Sequence, residues 1–388
     1  MSAPQVFPFF FATVALLSCA GTAPKRNKPL GLLPSAVTTA EPNWIPFTIR
    51  AGAAVEVSAA EGRHFVALRQ VTVDGTSHTP SWSADSRHLV FTSRSASNCG
   101  EVRRLDLEHG TSHTVTAGAG SSSSGVFDAQ GDVLLAHAAS DAPPCGEQPA
   151  KSAESATATR LPAPLGILLR NLDDSDIVVI DDGKVQPLIS RVGYDGDLAI
   201  GPGRLLFTSI DNGDYELFVA GRDGSDPKPI TKSIGYDGRG RYSADGASLV
   251  WQAEPAIDDS AIDANARSGG VLPRHAPHEL VVVIAGSLGQ RRRVLFAGGR
   301  YNITPSFMSD SRHVVFSSDY DAADDNAASP SFELYKIAPG DEQPERITYS
   351  PGFDAEPTVS PDGRYLAFTS SRGSSDPAGS NVFIARLR

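Results

Sequence analysis

The closest histidine pair in the chain is His275 and His278, separated by Ala276 and Pro277. A His-X-X-His spacing can bring two imidazoles to one metal ion if other loops supply the remaining ligands, and His137 is a candidate for that role. The surrounding segment is rich in Pro, Ala and Gly, where such a pair is more often simply exposed. A second set consists of Asp74, Asp195, Asp237 and Asp354, at equivalent entries to candidate inner strands, with Asn302 at a matching place. A ring of carboxylates would attract a cationic peptide or a metal. The same carboxylates could instead each accept backbone N–H bonds in their own turns. Equivalence around a ring favours that second use, since a binding site needs asymmetry. Arg94 and Arg372 close two apolar segments, as contacts at a channel mouth or as plain surface. Signatures of catalysis are thin: there is neither a Gly-X-Ser-X-Gly elbow nor a His-Glu-X-X-His helix. Residues 120–125 read Gly-Ser-Ser-Ser-Ser-Gly, a flexible loop and not a nucleophile turn. No catalytic residue and no cofactor is expected.

The elements that must position these residues are written in a recurring phrase. Ser83-Ala84-Asp85-Ser86, Ser243-Ala244-Asp245-Gly246, Met308-Ser309-Asp310-Ser311 and Ser360-Pro361-Asp362-Gly363 each stand between two apolar runs. Worn copies occur at Asp128-Ala129-Gln130-Gly131 and Gly201-Pro202-Gly203. An Asp-Gly or Asp-Ser turn between alternating apolar segments is a hairpin signal. Recurrence at about 40–50 residues, where no insertion intervenes, points to a propeller. Six copies predict an all-β, six-bladed β-propeller of four-stranded blades. Insertions are expected near 138–164, 254–277 and 321–330, where Ser, Ala, Asp, Pro and Gly accumulate. The last blade runs out of chain after its third strand. Residues 64–72 end in Arg69-Gln70-Val71-Thr72, like the Arg346-Ile347-Thr348 that closes another blade. They are expected to supply the missing outer strand and close the ring, so that deleting 60–75 would destabilise the whole domain.

A formal net charge of −11 argues against nucleic acid as the main partner and leaves no basic stripe for phosphates. The three cysteines are Cys19, Cys99 and Cys145. Cys99 and Cys145 each follow the second strand of adjacent blades, which puts them on one rim. A bridge there would close a loop of roughly 45 residues and contribute about 3–4 kcal/mol in the chain-entropy description; two free thiols are the alternative. Residues 6–17 form an apolar run too short to anchor in a bilayer, which reads as a targeting segment.

The repeats, with Ile-Thr before a Tyr-Asp or Phe-Asp, resemble the TolB-like β-propeller family. Gly193-Tyr194-Asp195-Gly196, Gly235-Tyr236-Asp237-Gly238 and Gly352-Phe353-Asp354-Ala355 carry the resemblance, as do Phe91-Thr92-Ser93-Arg94 and Phe368-Thr369-Ser370-Ser371-Arg372. It covers residues from about 60 to 388 and implies the propeller fold, in a family with many roles. Leu16-Leu17-Ser18-Cys19 resembles the lipobox of bacterial lipoproteins. That resemblance implies a signal peptide at 1–19, lipidation of Cys19, a tether and N-terminal extension at 20–59, and the propeller at 60–388. Ala20 after the cysteine implies the outer membrane. The expected protein is a monomeric envelope module that binds a protein, peptide or glycan, held to the membrane by lipid. A metal-dependent lyase or hydrolase using His137, His275 or His278 and a structural envelope component are the alternatives.

Overall fold

The computed structural model describes residues 48–94, 99–116, 120–138, 175–181, 184–211, 214–233, 235–254, 281–299, 301–321, 331–374 and 379–388. Cys19, Cys145, His275, His278, the targeting segment and most of the tether lie outside them. So do most of the three insertions.

The described chain folds into six antiparallel sheets arranged as the blades of a propeller. Two short strands, β1 (Ala53–Val55) and β2 (Phe65–Gln70), come first. Blade one is β3 (His78–Trp82), β4 (His88–Arg94), β5 (Gly100–Asp106) and β6 (Ser112–Thr114). Blade two is β7 (Ser121–Phe127), β8 (Val133–Ala138), β9 (Asp176–Asp181) and β10 (Lys184–Ile189). Blade three is β11 (Asp195–Gly201), β12 (Arg204–Asp211), β13 (Asp214–Gly221) and β14 (Lys228–Pro229). Blade four is β15 (Asp237–Tyr242), β16 (Ser248–Ala253), β17 (Val281–Gly286) and β18 (Arg293–Phe296). Blade five is β19 (Asn302–Phe307), β20 (Val314–Ser318), β21 (Glu333–Ile337) and β22 (Glu345–Arg346). Blade six is β23 (Asp354–Val359), β24 (Tyr365–Ser370) and β25 (Asn381–Leu387); β2 pairs with β25 and β1 with β2, giving this sheet five strands. Blade three is regular despite its worn phrase: Gly201 pairs with Arg204 across Pro202 and Gly203.

The recurring phrase owes its form to one turn. The hydroxyls of Ser83, Ser243 and Ser360 donate to Asp85, Asp245 and Asp362 at 2.5 Å. Each carboxylate also accepts an N–H from two residues on, at Arg87, Ala247 and Arg364. The residue after the aspartate is left-handed, with φ of 69° at Gly246 and 71° at Gly363. Ser86 and Ser311 hold the same conformation at φ 59° and 57°. Their hydroxyls accept an N–H from the preceding blade's turn, Ser86 from Asp362 at 3.2 Å and Ser311 from Asp245 at 3.0 Å. An inter-blade hydrogen bond thus offsets the strain of a side chain at φ > 0.

The core is distributed between blades. Apolar clusters fill every junction, for example Val90, Val102, Leu135 and Val178 between blades one and two. Leu206, Leu217, Leu249 and Trp251 fill the junction of blades three and four. Phe65 and Leu68 of β2 join Val315, Leu334 and Phe368 between blades five and six. Among the described residues no helix is long and apolar enough to cross a membrane.

Candidate functional site

Two ends of the propeller differ. The Ser-X-Asp turns join first to second strands on one end, called here the turn face. Connections into each inner strand, and those from second to third strands, lie at the other end, the loop face.

At the loop face the inner strands begin with a polar pair. Asp195 stands opposite Ser209, Asn302 opposite Ser318, Asp354 opposite Ser370, and Ser122 opposite His137. Asp237 stands opposite Ala253 and finds its donors elsewhere, in the Trp251 indole at 2.6 Å and the Ser233 hydroxyl at 3.1 Å. In blade one the ladder pairs His78 with Thr92, so Ser77, not Asp74, holds the matching place. Asp74 lies three residues earlier, exposed, and accepts from the hydroxyls of Ser77 at 2.8 Å and Ser93 at 2.9 Å. The entry to the strand was misplaced at Asp74 because three more residues precede the start of the ladder here.

These carboxyls are sealed into their blades. Asp195 and Asp354 are fully buried and Asp237 is 3% exposed. Burial raises the pKa of Asp195 and of Asp354, and raises that of Asp237 to about 6. On the third strands, burial likewise lifts Glu216 to about 8 and Glu333 to about 7. Arg372 donates to Asp354 at 2.6 Å and to Glu61 at 3.1 Å, while its guanidinium lies over Phe368 and Phe383. The Arg94 N–H donates to the Thr76 hydroxyl at 3.2 Å. His137 Nδ1 lies 2.9 Å from the Ser122 hydroxyl, and burial lowers its pKa. Among the described residues no three metal-binding side chains are gathered to hold an ion.

The Tyr-Asp-Gly phrase has a packing cause. A Cβ on Gly196 would stand 2.4 Å from the Tyr194 hydroxyl, and one on Gly238 would stand 2.2 Å from that of Tyr236. Each tyrosine folds over the glycine two residues on, and only glycine leaves room for it. Tyr236, Tyr301, Phe353 and Phe332 form one aromatic cluster at this level.

Below it, sequence reasoning missed a ring at the axis. Every inner strand has a bulge whose central residue is left-handed: Thr79, Ser124, Asp197, Arg239, Thr304 and Glu356, with φ between 50° and 55°. Their N–H groups reach side chains of the preceding blade. Ser124 donates to Thr92, Arg239 to Thr208, Thr304 to Gln252, Glu356 to Thr304 and Thr79 to Glu356, at 2.6–3.1 Å. For Asp197 the position corresponding to Thr92 and Thr208 is Ala136, which offers no acceptor. Arg239 spans the axis, 3.6 Å from Asp197 and 3.3 Å from Glu356, with all three side chains at most 8% exposed. Burial opposes its charge, but the two carboxylates outweigh that and hold its pKa above the ordinary value. The cavity these residues line, with Arg241 and Thr358, is about 50 Å³. That is room for a few water molecules, far below the roughly 300–1,000 Å³ of small-molecule pockets. The only sequence signal for this ring would have been the residue two past the head of each inner strand, and its identity changes from blade to blade.

The loops above the closed channel are different. Val73 is 85% exposed and Val192 is 95% exposed, both just before an inner strand. Tyr320 and Tyr349 are exposed on loops of the same face.

No protein-family model matches the chain, and no curated protein does. Solved structures do. TolB from Acinetobacter baumannii superposes with a TM-score of 0.51 at 14% identity, over 79% of this chain and 66% of that one. The chain therefore spans just under two thirds of that protein's length. A gluconolactonase from Xanthomonas campestris gives a TM-score of 0.53 at 14% identity, over 87% of this chain and 98% of that one. An oligogalacturonate lyase in complex with manganese gives 0.48 at 11% identity, over 82% and 80%. At such identities the likeness speaks for the fold alone, a TolB-like six-bladed propeller.

Proposed function

We propose that this chain of TolB-like propeller fold is an exported binding module of the bacterial cell envelope, taking a protein, peptide or glycan on its loop face. The observation that carries this reading is the pairing of an ion-paired axis with an exposed apolar loop face. Arg239 bridges Asp197 and Glu356 where a channel ligand would sit. Above it Val73, Val192, Tyr320 and Tyr349 are exposed on four loops of the loop face. Binding loops carried on a rigid scaffold are the usual division of labour. A partner that spans these loops would join their apolar residues into one contact surface.

In the same proposal residues 1–19 are a signal peptide, Cys19 carries the lipid, and 20–59 tether the domain to the outer membrane. A Cys99–Cys145 bridge would then form in the oxidising envelope. Asp74, Arg94, Asp195, Asp237, Asp354 and Arg372 act in this reading chiefly as the frame that holds the loops.

The test is a pull-down from detergent-solubilised envelope with the full chain and with a Val73→Asp/Val192→Asp variant. Both side chains are solvent-exposed, so the thermal midpoint should be unchanged. An envelope component retained by the wild-type chain and lost with the variant is the expected result. Retention by neither, together with a stoichiometric transition metal in the purified protein, would overturn it in favour of a metal-dependent lyase or hydrolase.

A further inference from the structure

The outer rim at the junction of blades three and four carries a concentration of exposed cations. β18 is the outermost strand of blade four, so one of its edges has no neighbour. It is entered through Arg291-Arg292-Arg293, three consecutive exposed arginines on a chain whose net charge is −11. Lys232, exposed on blade three, extends the patch. The two blades are held together here: Gly289 packs against the Ile230 carbonyl, and Arg292 Nη1 donates to the Ser233 hydroxyl at 3.0 Å.

Among the described residues no carboxylate forms an ion pair with Arg291, Arg293 or Lys232. Two other lysines of the propeller are paired: Lys228 lies 2.6 Å from Asp226, and Lys336 lies 2.8 Å from Glu345. Apolar side chains flank the patch, Leu288 at 48% exposure and Val294 at 55%.

We propose that this rim, formed by Arg291, Arg292, Arg293 and Lys232 with Leu288 and Val294, docks on an anionic lipid surface. Charge complementarity selects this surface. A protein of net −11 is repelled by an anionic bilayer everywhere except at a patch of opposite sign, so the patch fixes which edge approaches. Guanidinium groups pair with lipid phosphates in a bidentate fork. Leu288 and Val294 beside them can enter the headgroup boundary, the combination of basic and apolar side chains that interfacial segments use. The inference does not rest on the loop-face binding role or on lipidation of Cys19.

The experiment is co-sedimentation of the full, unlipidated chain with vesicles of phosphatidylcholine alone and with 30% phosphatidylglycerol, at low and high salt. Binding to the anionic vesicles only, abolished by salt, is expected. Arg291→Gln/Arg293→Gln should weaken it about 25-fold, from about fivefold per cation near a charged surface. Leu288→Ser should weaken it further at unchanged thermal midpoint. Equal binding to neutral vesicles would identify insertion of the N-terminal apolar run as the cause and overturn the proposal. So would undiminished binding by the double variant, or capture of an acidic polypeptide such as poly-glutamate that Leu288→Ser leaves untouched.

Discussion

The two faces of the propeller use the same side chain in opposite electrostatic states. On the turn face, Asp85 and Asp310 are raised by partial burial, but hydrogen bonds from Ser83 and from His313 outweigh it and leave both pKa values lowered. Asp245 is lowered chiefly by the Ser243 hydroxyl. On the loop face, Asp195, Asp237 and Asp354 lie inside the blades, and desolvation raises all three. Hydrogen bonds are present at both ends. What differs is water: a carboxylate that keeps part of its hydration needs only a few donors to stay charged, and a buried one needs a full cation or a proton.

The largest effect should come from removing the cation that one loop-face carboxylate has. Arg372→Ala leaves Asp354 and Glu61 buried without their guanidinium, a loss of about 3–5 kcal/mol that urea unfolding at neutral pH would measure. A change below 1 kcal/mol would mean that Asp354 is already protonated and the contrast between the faces is sharper still.

Next in size is the pH dependence. Glu216 has an ordinary value of 4.5 and a folded value of about 8. Below pH 4.5 both folded and unfolded chains hold the proton, so its stabilisation is fully present. As pH rises towards 8 the unfolded chain releases a proton that the folded chain keeps, and stability falls by up to about 1.4 kcal/mol per pH unit. Glu216→Gln should flatten this limb in unfolding titrations between pH 5 and 8. The turn-face aspartates run the other way: their contribution is present above the ordinary carboxylate pKa and is lost as pH falls through their lowered values.

Ser243→Ala probes that acid limb. It removes the hydroxyl from Asp245 and should cost about 0.5–1.5 kcal/mol at pH 7, with the Asp245 carboxyl titrating higher by NMR. The smallest change is Ser86→Gly, which gives up the Asp362 N–H bond but relieves the left-handed strain. Thermal unfolding should place it within about 0.5 kcal/mol of wild type.

The six blades were legible because the turn repeats: a serine, an aspartate and a left-handed residue recur where the first two strands of blades one, four and six meet, with partial copies at the other three. The heads of the inner strands were legible where Tyr-Asp-Gly was intact and misread at Asp74, where the ladder puts Ser77 in register. The axial ring left no repeat to find. Its fixed quantity is a backbone bulge, and the side chains that ride on it are Thr, Ser, Asp, Arg, Thr and Glu. Arg239, Asp197 and Glu356 meet only after closure of the ring brings blades three, four and six to one axis, a contact that no sequence spacing encodes.

A closed ring has no first blade, yet this one has a seam. Side-chain acceptors join the bulges around the axis, and at Ala136 that acceptor is missing between blades two and three. When the ring breathes, it should part there, and the Asp197 amide should exchange with solvent sooner than its five counterparts. The same junction is where new chain ends would be tolerated best, so a circular permutant opened between β10 and β11, with the present termini joined, is the version of this propeller that should lose least.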